Sequence, residues 1–250
     1  MKITIITATI DPDDSLRETL RSVASQTHQD VEPIVIDSYD NRGSDLKAEF
    51  PTVTFINTPR RGVYAALNEG LKRATGEVIG LVHGSDRLAS PDVLATVAAT
   101  FEKDPELGFV FGNLRYFNPV TGKLLSVYSA EGYNPEMIRS MFTPPHPTLY
   151  VRQKVAHRVG PYTTRYIIAG DQDMWIRLFA LPGVRWQYIP MIMVLMSTGG
   201  LSSRLSNILW LSNREKLSVM KRHGIQGGVI VLLRKYFYAI RSRLKSYQHL

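Results

Sequence analysis

This 250-residue sequence predicts an α/β fold, with a mostly parallel central sheet, helices on both faces and a C-terminal helical extension. Three observations carry that expectation. Runs rich in β-branched residues alternate with apolar helical stripes through the first half of the chain, as repeated strand–helix units do. Val78-Ile79-Gly80-Leu81-Val82 is apolar almost throughout, as a strand covered on both faces must be. Residues suited to chemistry recur just past the strand ends, where open α/β sheets bind ligands.

The elements follow in order. Ile3 to Ala8 reads as the first strand, and Leu16, Leu20 and Val23 share one face of the helix after it. Pro33 to Ile36 is a second strand ending at Asp37, and Asn41, Gly43 and Ser44 mark a turn-rich connection. Val53 to Ile56 is a third strand. Val63, Leu67, Leu71 and Ala74 form a helical stripe that Gly76 is expected to close as a C′ residue. After the strand at Val78, Ser90-Pro91 is expected to open a helix, serine as its cap and proline in its first turn. Phe109 to Asn113, Leu149 to Val151 and Ile189 to Met196 read as strands, and Lys123 to Tyr128 as a partner of the first of these. Asp171 to Leu181 reads as a helix, and Ser202 or Ser203 as the cap of a long helix carrying Leu205, Leu209, Leu217 and Met220.

Composition narrows the chemistry. The chain has no cysteine, which excludes disulfides, thiolate metal sites and a cysteine nucleophile and fits a reducing compartment. A formal net charge of +8 points to an anionic partner: a nucleotide, a lipid headgroup or a nucleic acid. The N-terminal strand soon meets Asp11, Asp13 and Asp14, unlike a signal peptide. No run of about 18 apolar residues offers a transmembrane helix. No Gly-x-Gly-x-x-Gly follows the first strand and no Walker loop occurs, which sets aside a Rossmann dehydrogenase and P-loop chemistry.

Four stretches, in this order and spacing, resemble the family 2 inverting glycosyltransferases, among them enzymes that build bacterial surface polysaccharides. They are Thr4-Ile5-Ile6-Thr7-Ala8-Thr9, then Pro33-Ile34-Val35-Ile36-Asp37-Ser38, then Gly62 to Leu71 with Ala74-Thr75-Gly76-Glu77, and Ala169-Gly170-Asp171-Gln172-Asp173-Met174-Trp175-Ile176-Arg177-Leu178. The resemblance implies a GT-A fold with a Rossmann-like sheet. It also implies a nucleoside-diphosphate sugar as donor, UDP-linked by default, and Mg²⁺ or Mn²⁺ as cofactor. Thr7, Ala8 and Thr9 then match the nucleotide-binding turn, Asp37 the residue that contacts the base, Asn68 a donor contact, and Asp171 the catalytic base. The family's acidic motif after the fourth strand is represented by His83-Gly84-Ser85-Asp86, in which Asp86 is the remaining carboxylate. One carboxylate with diphosphate oxygens and water suffices to hold magnesium, and His83 would favour manganese.

The chemistry of the residues runs beside that resemblance. A departing diphosphate needs a cation near it, which Asp86 at a strand end could hold; a turn aspartate or a helix cap is the plainer alternative. Inverting transfer needs one base opposite the nucleotide. Asp171 is the candidate, against an ordinary helix N-cap, while Asp173 is placed to pair with Arg177 at i,i+4. Arg60 and Arg61 approach the diphosphate or form a solvated basic pair. His146, between two prolines, is either a site residue or a surface loop histidine. Trp175 and Trp186 read as core residues more than as sugar platforms.

Residues 1–220 are expected to form the transferase domain, with a nucleotide-sugar half (1–107) and an acceptor half (108–220), followed by a basic amphipathic segment (221–250). No acidic residue occurs after Glu215, and Val229 to Leu233 and Tyr236 to Ile240 are interleaved with cations. That composition suits an anionic membrane surface; a helix packed on the domain with a solvated basic face is the other reading. The expected acceptor is a lipid-linked saccharide or a polysaccharide, met at the cytoplasmic face of the membrane, with no nucleic acid as partner. The competing functions are a nucleotide- or nucleic-acid-binding module without chemistry, and a transferase-like protein that has lost catalysis.

Overall fold

The computed structural model describes residues 1–9, 14–37, 44–59, 62–198 and 205–225. In chain order these form β1 (Ile3–Thr9), α1 (Asp14–Ala24), β2 (Val31–Asp37), α2 (Ser44–Glu49), β3 (Thr54–Asn57), α3 (Val63–Arg73), β4 (Val78–Leu81) and β5 (Arg87–Leu88). They continue with α4 (Val93–Lys103), β6 (Leu107–Phe117), β7 (Leu124–Tyr128), β8 (Tyr150–Arg152), α5 (Gln153–Val159), α6 (Gly170–Ala180), β9 (Arg185–Ser197) and α7 (Leu205–Arg222). Short 3-10 turns lie at Pro135–Ser140 and His146–Thr148.

Among the described residues one sheet runs in the order β3-β2-β1-β4-β8-β6-β9-β5, with β7 paired to β6. The strands β3, β2, β1 and β4 are mutually parallel, β8 is antiparallel to both its neighbours, and β6 and β9 run parallel. The sheet therefore passes without a break from the first half of the chain to the second. Side chains alternate across it as the pleat requires. Ile6, Ile34, Ile36 and Leu81 join one core with Leu67, Phe109 and Trp175. Ile3, Ile5 and Val78 join another with Leu94, Phe101 and Tyr150. All seven residues of β1 are buried, its threonines as well as its isoleucines, as a strand covered on both faces must be.

Two helix ends differ from the expectation. Gly76 is not a C′ residue: α3 ends at Arg73, with Ala74 in extended conformation at its C-cap. Glycine is needed there because a Cβ would stand 2.6 Å from the Thr4 backbone nitrogen. Ser90 does not cap α4, which starts at Val93 with Asp92 in the N-cap position and no side-chain cap bond of its own. The Ser90 and Pro91 carbonyls instead accept from the Gln26 side chain (2.8 Å) and the Thr27 N–H (2.9 Å). Gln26 Oε1 in turn accepts the Leu94 N–H at 3.0 Å, so a donor in the first turn of α4 is met from across the fold. The candidate caps Ser202 and Ser203 lie outside the described residues.

Glu32 clamps the opposite edge of the sheet from the strand carboxyl ends. It accepts from the Thr4 hydroxyl, from the Thr75 N–H (2.8 Å) and hydroxyl (2.6 Å), and from Lys2 Nζ (3.1 Å). Burial acts to raise its carboxyl, but these bonds outweigh it and bring it from 4.5 to about 2. A lowered carboxyl contributes stability above its ordinary value and loses it as pH falls toward the folded value. Glu32→Gln is therefore expected to lower the unfolding free energy by about 2 kcal/mol at pH 7 in urea titrations. The gap to the native protein should close as pH falls from 4.5 toward about 2.

Candidate active site

The parallel register sets the site's first wall. Thr9 lies opposite Asp37, and beyond β4 the chain stays beside β1, with the Val82 N–H on the Ile6 carbonyl (3.1 Å) and the Gly84 N–H on that of Ala8 (3.3 Å). Thr7, Ala8, Thr9, Asp37 and the His83–Asp86 turn thus share one carboxyl edge. Two α1 residues brace the turn: the Ser15 hydroxyl donates to the Gly84 carbonyl (3.0 Å) and the Thr19 hydroxyl to that of Asp86 (2.7 Å). Arg60 and Arg61 lie outside the described residues.

Asp86 is 2% exposed, and its Oδ1 accepts the Ser197 N–H at the end of β9 (3.2 Å). Its Oδ2 is buried with no partner among the described residues. Burial, only partly offset by the Ser197 bond, pushes the carboxyl up to about 7. The turn residue that faces the second wall is His83. Its ring stacks with His146 at 6.3 Å, and burial followed by the neighbouring His146 lowers it to about 4. His146 is buried, not a surface loop residue; burial lowers it to about 4 and its Nε2 bonds the Tyr162 hydroxyl at 2.8 Å. Both imidazoles are neutral at pH 7.

The second wall is the start of α6. Asp171 stands in its first turn, with Ala169 in the N-cap position. Oδ1 of Asp171 accepts the Gln172 N–H at 2.7 Å. Part of the side chain stays at the surface, but the protein packed around it desolvates the carboxylate and raises its pKa. Lys216 and His83 act in the opposite direction. Tyr64 of α3 fixes this turn: its hydroxyl donates to the Ile168 carbonyl and accepts the Asp171 N–H at 3.2 Å. Its ring also stacks on Tyr162 at 5.9 Å. Gly170 is required here, because a Cβ would stand 2.7 Å from the Tyr64 ring.

Other predicted site residues serve as supports. Asn68 bonds the Tyr162 backbone in both directions, donating to its carbonyl (2.8 Å) and accepting its N–H (2.7 Å). That seats the tyrosine that holds His146. Asp173 pairs with Arg177 at 2.8 Å, as the spacing predicts, and also with His223, just past α7, at 2.9 Å. Trp175 is fully buried against Phe111 (5.6 Å), and Trp186 stacks on Phe111 (5.5 Å). Sequence reasoning does not single out Tyr64, Tyr162 or Glu215 as site-shaping residues: a tyrosine gives no local sign of the group its hydroxyl will meet, and Glu215 stands out only as the last acidic residue before a basic tail.

Comparisons with known proteins identify the family and the fold. The glycosyl transferase family 2 model matches residues 4–162, ending nine residues before Asp171. A PGL/p-HBAD biosynthesis glycosyltransferase of Mycobacterium bovis (strain BCG / Pasteur 1173P2) is 27% identical over 244 residues, covering 93% of this chain and 90% of that protein. An uncharacterized glycosyltransferase of Methanocaldococcus jannaschii is 25% identical over 190 residues, covering 71% of this chain and 64% of that protein. Among solved structures, S. aureus TarS 1-349 in complex with UDP-GlcNAc aligns with a TM-score of 0.69 at 15% identity, over 88% of this chain and 66% of its own. Mannosyltransferase PcManGT from Pyrobaculum calidifontis, in complex with GDP-Man and Mn²⁺, aligns with a TM-score of 0.65 at 17% identity, over 98% of this chain and 73% of its own. In a longer S. aureus TarS structure the chain spans 37% of the length. The mixed sheet is that of the GT-A fold, and with the family model covering residues 4–162 this chain belongs to glycosyl transferase family 2 and is a glycosyltransferase.

Proposed function

We propose that the enzyme moves one sugar from a nucleoside-diphosphate donor, UDP-linked by default, to a hydroxyl of a lipid-linked saccharide or polysaccharide. The anomeric centre inverts, and Asp171 is the general base. The observation that carries the reading is a desolvated carboxylate in the first turn of α6, whose backbone N–H the Tyr64 hydroxyl of α3 holds at 3.2 Å. In a single displacement the acceptor oxygen attacks the anomeric carbon, its proton passes to Asp171, and the electron pair of the broken bond leaves on the diphosphate. Desolvation raises the proton affinity of that carboxylate, which suits it to the task. The bound UDP-GlcNAc of TarS and GDP-Man of PcManGT support a nucleotide sugar as the donor class. Thr7, Ala8, Thr9, Asp37 and Ser85 provide the donor edge.

A divalent cation fits this edge. The buried Oδ2 of Asp86 has no partner among the described residues, and an anionic oxygen there is costly without a cation. No cluster of three candidate ligands occurs among the described residues, so Asp86 would share the ion with donor oxygens and water. When bound, the ion supplies neutralisation of the diphosphate charge.

Attachment to an anionic membrane surface extends the same reading. The basic segment proposed for it lies outside the described residues from 226 onward. The described part of α7 adds Trp210, 64% exposed, with the Arg214 guanidinium 5.3 Å from its ring centre. No helix among the described residues is long and apolar enough to cross a membrane.

Asp171→Asn should lower kcat by about 100-fold or more while donor-induced thermal stabilisation survives. Undiminished turnover would remove the base assignment. The native rate should fall as pH drops through the raised Asp171 value, because only the ionised form accepts a proton. In thermal-shift assays with UDP, Mn²⁺ should raise the melting temperature of the native enzyme but not of Asp86→Asn; equal increments would exclude Asp86 as a ligand. Truncation after His223 should abolish sedimentation with anionic liposomes, and retained binding would refute the attachment.

A further inference from the structure

The α7 helix carries one buried acid in basic surroundings. Glu215 is 8% exposed, between Arg214 and Lys216, and Lys221 and Arg222 follow about two turns on. A buried carboxylate is tolerated only where hydrogen bonds replace its water. Here it accepts three successive backbone N–H groups, from Ile167 (3.0 Å), Ile168 (2.8 Å) and Ala169 (3.0 Å). These donors lead straight into α6, whose N-cap residue, Ala169, has no side chain able to satisfy them. The negative charge also sits at the positive end of the α6 dipole.

The held segment is gripped from two sides. Tyr64 of α3 donates to the Ile168 carbonyl, and Glu215 of α7 takes the N–H groups. Just past α7, His223 bonds Asp173 of α6 (2.9 Å), and the Ser218 and Tyr166 hydroxyls lie 3.3 Å apart. Asp171 follows Ala169 by two residues, so this grip sets where its carboxylate stands.

We propose that Glu215 is a positioning residue for sugar transfer: its carboxylate fixes the chain entering α6 and, through it, the Asp171 carboxylate that this helix presents. The proposal rests on Asp171 being the base. A displaced base loses rate more than donor affinity, since misplacement by about 1 Å can cost about 100-fold.

The test uses the 250-residue chain and steady-state hydrolysis of UDP-GlcNAc and GDP-mannose in Mn²⁺. Glu215→Gln keeps the side-chain size and one acceptor oxygen, so it guards against the misfolding that Glu215→Ala risks. It should lower kcat about 10-fold with the donor KM unchanged. Native kcat in Glu215→Gln, or a loss that falls on the donor KM instead, overturns the proposal and leaves the base assignment standing. Full turnover in Asp171→Asn, measured in parallel, would overturn both.

Discussion

The spacing between the strand carboxyl ends and Asp171 depends on one contact that leaves no room for a methyl group. The Tyr64 ring lies against the Gly170 backbone, where a Cβ would fall 2.7 Å away. The tyrosine comes from α3, packed on the parallel strands, and the glycine opens α6, packed on β6. Two-sided hydrogen bonding by the Tyr64 hydroxyl then sets the rotation of the first turn of α6 as well as its distance. Because interiors are close-packed, a shift at this contact would carry Asp171 with it.

Around that contact the charges behave differently from those elsewhere on the molecule. Away from the site, ionised groups are paired near solvent, as Arg17 and Arg21 are with Glu49, or Arg73 with Glu69. Such pairs contribute little to stability. Near the carboxyl edge, Asp86, Asp171, His83 and His146 are all pushed toward their neutral forms by burial. Groups held away from their solution protonation states are what proton transfer and anion binding require, and folded proteins concentrate them at such sites. The structure offsets that local cost with the apolar core on both sheet faces.

The C-terminal helix links the two ends of the proposed activity. Its inner face holds the entry to α6 through Glu215, and His223, just past its last turn, bonds Asp173 in the first turn of α6. Its outer face shows Trp210 and Arg214 to solvent. In the proposed reaction, a helix that holds the approach to Asp171 and borders the basic terminal segment ties the geometry of transfer to whatever surface that segment meets.

The sequence by itself determined the strand–helix alternation, the order of the strands along the chain, the Asp173–Arg177 pair and the gathering of Thr9, Asp37 and His83 at one edge. Each follows from periodicities of 2 and 3.6 residues or from the rule that parallel strands end together, so each is written in neighbouring residues. Only the tertiary structure decided that β8 lies antiparallel between β4 and β6, and that Gln26 serves the start of α4. It also decided that Asn68 seats Tyr162, that His146 stacks on His83, and that Glu215 holds the approach to Asp171. Those pairings join residues dozens of positions apart, and their partners are backbone groups or ring faces, which every residue or every aromatic can offer. No local pattern distinguishes one such partner from another until packing brings them within reach.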